Sequence, residues 1–129
     1  MIESEIEKLV HVLKQQAEVF LLDAKEFYPF GTYMNIKDEI VPVGAYTTEE
    51  HPQSQDVIEL LEKGFTKRIQ NGECKIGAIA LDIYINENNE KYDAIEVRFF
   101  ETGKEVYKKH FRYVIKETCV KFYPYQNIS

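Results

Sequence analysis

At 129 residues, with 44% hydrophobic and 13% aromatic residues, the chain has the composition of one globular domain rather than of a disordered segment. Such a length buries roughly two thirds of the surface exposed by the unfolded chain, so an ordinary core is expected to suffice without a metal or cross-link. The formal net charge of −6 disfavours non-specific attachment to nucleic acid or an anionic membrane, while leaving a basic protein partner open.

The opening MIESEIEKLV is acidic and amphipathic, unlike a secretory leader, and no window approaches the ~20 apolar residues of a membrane span. A cytoplasmic location is the resulting expectation. From Ile2 through Ile6, Leu9, Leu13, Ala17, Phe20 and Ala24 to Phe27, apolar residues recur at steps of three and four. That spacing predicts a helix over about residues 4–27. Its Val19–Leu22 stretch is apolar all round and calls for cover on more than one side, by the core or by a second subunit. Pro29 cannot continue a helix and biases Tyr28 toward extended backbone, so a strand should begin near Phe30.

Strands are expected over about 30–36 and 39–46, joined by a turn at Ile36-Lys37-Asp38. Pro42 cannot donate to a ladder, which makes the second strand an edge or turns that position outward. Ser54 and Asp56 read as the cap and first turn of a helix over about 54–70, with Ile58, Leu61, Phe65 and Ile69 as its apolar stripe. Gly64 inside that stripe suggests close backbone packing, and Asn71-Gly72 supplies the stop.

From Cys74 the period changes to two, and strands are expected over about 75–86, 92–100 and 105–116, with a further short strand over 118–124 in the longer form of the meander. A three-residue loop at Glu101-Thr102-Gly103 would pair Phe100 with Lys104, Val97 with Tyr107 and Glu96 with Lys108. The order predicts a single α+β domain: helix, two strands, helix, then a three- or four-strand antiparallel meander, with both helices mainly on one sheet face. This element order resembles profilin-type and roadblock-type small domains, a likeness of architecture only.

Motifs for nucleotide cradling, an esterase elbow or a metalloprotease helix do not occur. His11, His51 and His110 lack a His or Cys partner at ligand spacing, and Cys74 and Cys119 form no CxxC pair, so neither a metal nor a cofactor is expected. Glu49-Glu50-His51, near Tyr46, is the best local acid–base group, although an acidic helix entrance explains the same residues. Residues 104–121 carry six Lys or Arg against two Asp or Glu. In the register above, Asp82 and Glu96 would approach Arg98, Lys108, His110 and Arg112, with Tyr84 and Phe100 as a frame. This patch reads either as a solvated, ion-paired face or as a surface for a protein or an anionic ligand. Aromatics at Phe27, Tyr28, Phe30 and Tyr33, and at Phe122, Tyr123 and Tyr125, could wall a pocket or an interface, or simply pack at strand ends.

The succession EFYPF, VPVGAY and EHPQSQDVIELL resembles a family of small bacterial proteins that share this motif order, over about residues 25–85 and more loosely beyond. The resemblance transfers no catalytic residue and no established activity. In its acidic balance and small size the chain is also similar to toxin-neutralising immunity proteins, whose acidic surface offsets a basic toxin. The expectation is therefore a non-enzymatic protein-binding module with a basic partner or a second copy of itself. The alternative is a small-molecule or enzymatic site lined by Tyr28, Phe30, Tyr33 and Tyr46, with Glu50 or His51 as its polar chemistry.

Overall fold

The structure is a computed structural model and describes residues 3–43, 54–123 and 126–128. Helix α1 spans Glu3–Ala24 and is followed by β1 (Phe30–Asn35) and β2 (Ile40–Val43). Helix α2 covers Ser54–Gln70, and the remainder is β3 (Cys74–Glu87), β4 (Glu90–Glu101), β5 (Tyr107–Ile115), β6 (Val120–Phe122) and β7 (Gln126–Ile128). The strands pair antiparallel in the order β2-β1-β3-β4-β5-β6, with β7 also on β5. This is the expected α+β domain with an antiparallel sheet. β6 and β7 lie along the same edge of β5 with registers one residue apart.

The first helix stops three residues earlier than its periodicity suggests. Lys25 takes a left-handed φ of 65° and its N–H still donates to the Leu21 carbonyl at 2.9 Å. That leaves Phe27 free to pack with Phe20 and Phe30, ring centroids 6.5 and 5.3 Å away. Pro42 sits in the edge strand β2, opposite Thr32, where its missing N–H costs no ladder bond. The second helix closes as read from the sequence. Gly72, at φ 71°, allows Glu73 N–H to reach the Arg68 carbonyl at 2.9 Å and Gly72 N–H to reach that of Ile69 at 3.1 Å, a Schellman cap.

The packing corrects the expectation of two helices on one face. Ile6, Leu9, Val10, Leu13, Ala17 and Leu21 of α1 join a core with Ile76, Ala78 and Ala80 of β3 and Ile95, Val97 and Phe99 of β4. Val57, Ile58, Leu61 and Phe65 of α2 join a separate core with Ile79, Leu81 and Phe100. Alternate residues of β3 thus serve different helices, which lie on opposite faces of the sheet. The reason is visible in β3 itself: residues 76–81 are buried without alternation, as a strand covered on both sides must be.

Two registers also differ from expectation. Asn88 and Asn89, with φ of 51° and 65°, form a tight two-residue turn closed by Glu87 opposite Glu90, where a five-residue loop was expected. Ile79 therefore faces Arg98, and Asp82 faces Ile95. On the other side of β4, Phe99 pairs with Tyr107 and Glu96 with His110, two residues beyond the expected pairing. The parity is unchanged. Residues 102–106 form the longer connection, and the Tyr107 ring stacks on Phe99 at 4.9 Å while its hydroxyl donates to Glu101 Oε2 at 2.8 Å.

Gly64 does not mark a close backbone approach, since a side chain there would meet only the mobile end of Arg68. The close approaches are at Gly31 and Gly77, where an added Cβ would lie 2.8 and 2.7 Å from ring atoms of Phe65. The α2 ring is seated directly on the backbones of β1 and β3.

Candidate functional site

The charged residues singled out from the sequence divide between the two sheet faces. Glu96 and Arg98 of β4 and Lys108, His110 and Arg112 of β5 share the face on which α2 lies, because Arg98 is paired with Lys108 and Glu96 with His110. Asp82 is on the α1 face, which corrects its expected grouping with them. The cause is the Asn88-Asn89 turn, which pairs even positions of β3 with odd positions of β4.

Within the α2-side group most charges already have partners in the chain. Arg98 Nε donates to Glu96 Oε2 at 2.8 Å, and its guanidinium lies 3.7 Å from Glu62 on α2. His110 Nε2 is 3.0 Å from Glu96 Oε1. Burial opposes ionisation of Glu96, but hydrogen bonds from Arg98 and His110, together with the Arg98 and Lys108 charges, hold its carboxyl below the ordinary range. Arg112 lies 3.7 Å from Glu87 and 3.7 Å above the Tyr92 ring. This face is a network of cross-strand pairs that orders β4 and β5 and ties α2 to them.

Asp82 has a different environment. On the α1 side it is joined by Tyr113 of β5, whose hydroxyl donates to Asp82 Oδ1 at 2.7 Å, and by a backbone hydrogen bond from Phe27. Burial raises the Asp82 carboxyl above its ordinary value, and the neighbouring Asp93 and Glu26 charges add to the rise against those two hydrogen bonds. Tyr113 is raised as well, by burial and by the Asp82 carboxylate it faces. Around Asp82 opens a cleft of about 410 Å³ lined by Ala24, Glu26, Phe27, Tyr28, Ser54 and Tyr84. That volume is in the range of small-ligand sites.

A second, more apolar groove of about 330 Å³ shares Ala24, Glu26, Phe27 and Tyr28 with this cleft and continues over Phe20, Asp23, Pro29 and Phe30. It borders the last turns of α1. There Leu21 enters the core, while Val19 is 66% exposed, Phe20 42% and Leu22 36%. The all-round apolar stretch read from the sequence is thus covered by the core on one side only.

Tyr33 is not part of either opening. Its ring packs on Phe65 at 6.3 Å and carries the Arg68 guanidinium at 5.0 Å, on the α2 side. Tyr46, Glu50 and His51 lie outside the described residues. The expected pocket at Tyr33, Tyr46 and His51 is therefore represented here only by Tyr33, in a packed position. The sequence carries Tyr28, Asp82 and Tyr84 as separate features, and only the fold brings them into one cleft, with Tyr113 hydrogen-bonded to Asp82. Reading Asn88-Asn89 as a two-residue turn would have put Asp82 on the right face.

Among the described residues no three His, Cys, Asp or Glu side chains converge as a metal-binding group, and no helix is long and apolar enough to cross a membrane. The two thiols differ. Cys74 is buried, which pushes its pKa up to about 11, partly offset by the Arg68 charge and a backbone hydrogen bond at Ile76, whereas Cys119 is exposed. Native protein titrated with a disulfide thiol reagent at pH 8 should therefore release one equivalent promptly, from Cys119, and a second only on unfolding. Two prompt equivalents in native protein would contradict the buried position of Cys74.

Comparison of the chain with protein-family models, with curated proteins and with solved structures gives no match.

Proposed function

We propose that this chain is a non-enzymatic protein-binding module of a bacterial cytoplasm, of the toxin-neutralising kind, whose partner is a basic protein. The observation that carries this reading is the uncovered apolar end of α1. Val19, Phe20, Leu22 and Tyr28 are all at least one-third exposed, and Phe20 and Tyr28 line an apolar groove that also takes in Asp23 and Glu26. Aromatic and aliphatic anchors next to a groove, with charge at the rim, are the composition of a protein contact rather than of a solvated surface. The rim charges are acidic, as is the chain as a whole at −6, and this favours a basic partner both in steering and in the docked state.

The α2-side charges support the same reading by elimination, since Arg98, His110 and Arg112 are engaged within the chain and so are poor anchors for an external anion. Their role is to hold the sheet that carries the contact. The test uses wild-type protein and a Val19→Lys/Asp23→Lys variant as bait for the host lysate, followed by titration of each with the purified captured protein. The expected result is a basic protein bound by wild type and at least tenfold more weakly by the variant, with the same thermal midpoint for both baits. An acidic partner, or equal binding by the two baits, would overturn the assignment. A wild-type dimer in light scattering that the variant abolishes would reassign the surface to a second copy of the chain.

A further inference from the structure

We propose that the cleft around Asp82 is a binding site for an organic cation, a guanidinium or substituted ammonium group, with Asp82 as its counter-ion and Tyr28 and Tyr84 as aromatic walls. The geometry supplies the parts that such a ligand needs. Asp82 accepts the Tyr113 hydroxyl on Oδ1 and a backbone hydrogen bond from Phe27, so it is fixed in place. A carboxylate has about four acceptor positions, and these two bonds leave capacity for a ligand donor. Tyr28 and Tyr84 line the same opening and are 54% and 63% exposed; the Tyr28 ring is open to a cation, and the Tyr84 ring becomes so when Lys91 moves off it.

A contact within the chain shows that the Tyr84 ring attracts a cation. The Lys91 ammonium lies 3.8 Å from the centroid of the Tyr84 ring, so this ring already receives a cation from the chain itself. Lys91 is exposed and on a flexible stem, so it can move aside when a ligand enters. The groups that face Asp82 are Tyr113 from β5, Asp93 from β4, Glu26 and the Phe27 backbone from the segment after α1, and Tyr84 on β3 itself. Their formal charge is negative apart from Lys91 at the Tyr84 ring. A desolvated carboxylate among other carboxylates is relieved by an arriving cation, and the same surroundings repel an anion.

This inference rests on the protein-binding reading for one point only, that the cation arrives as an arginine side chain of the basic partner. The site itself is tested on the isolated protein, so the two readings fail separately. N-acetyl-arginine amide is titrated into labelled protein at pH 7.5 and followed by amide chemical shifts, with N-acetyl-citrulline amide as the uncharged isostere. Saturable binding with shifts centred on Tyr28, Asp82 and Tyr84 is expected, with at least tenfold weaker binding of the citrulline compound. Asp82→Asn should weaken the arginine compound at least tenfold. Tyr84→Ala, at an exposed position that leaves folding intact, should weaken it severalfold. Equal binding of the two compounds, no saturable binding, or retained affinity in both variants would overturn the site. In the partner titration, a loss of affinity in Asp82→Asn supports the partner's arginine as the source. Unchanged partner affinity would overturn that source and leave a free organic cation as the ligand.

Discussion

Replacement of Phe65 by Ala is expected to cost about 3–5 kcal/mol, the largest effect of any single truncation in the α2 core. Phe65 is fully buried, and its ring lies against the backbones of both β1 and β3 at Gly31 and Gly77. Its ring also meets Tyr33 at 6.3 Å and Phe100 at 5.9 Å. Removing it leaves a void against two glycines, which have no side chains to collapse into the space. For a domain of this size the melting midpoint should fall by roughly 10–25 °C. The converse change tests the same contact from the strand side. Gly77→Val would drive a branched side chain into the ring, and a loss of about 2–3 kcal/mol is expected from overpacking. If the two residues act through one contact, Gly77→Val in a Phe65→Ala background should cost at least 1 kcal/mol less than in the wild type. Urea unfolding of the four proteins supplies all the terms, and strict additivity would show that the ring does not depend on the glycine.

Replacement of Glu96 by Ala is expected to cost about 1–3 kcal/mol at neutral pH, because it leaves Arg98 and His110 without the acceptor they share. The pH dependence gives a sharper test. Glu96 has a lowered carboxyl pKa in the folded protein, so the stability it contributes is present above its unfolded value, near 4.5, and is lost as pH falls through the folded value. Asp82 has the opposite sign. Its folded pKa is raised, so its contribution is present below the unfolded value, near 3.8, and is lost as pH rises through the folded one. Urea midpoints between pH 3 and 8 should therefore fall less steeply on the acid side for Glu96→Gln than for wild type. Asp82→Asn should instead remove part of the decline that sets in as pH rises from about 3.8 through the folded value. A Glu96→Gln profile parallel to that of wild type would mean that the carboxylate is not engaged as described.

Much of the local structure was legible because each element carries its own signal. The 3.6-residue spacing marks both helices, Ser54 and Gly72 bound α2, Pro42 marks an edge strand, and the switch to a period of two announces β3. The candidate cleft was not legible in the same way. Its lining joins Tyr28 after α1 with Asp82 and Tyr84 on β3, and Tyr113 on β5 holds Asp82 from outside the lining, so three separate stretches of chain contribute. Their meeting depends on two registers, and a one-residue error at the Asn88-Asn89 turn moves Asp82 to the other face relative to β4.

The sequence by itself determined the α+β class with an antiparallel sheet and the apolar end of α1, since these follow from periodicity, turn chemistry and composition within short stretches. Only the tertiary structure decided that the helices take opposite faces, that Arg98 and His110 share Glu96, and that Asp82, held by Tyr113, lines a cleft with Tyr28 and Tyr84. Side-chain alternation states which residues share a face within one strand. How that face joins the next strand's is set by turn length and pairing register, which exchange packed and open faces at a change of one residue.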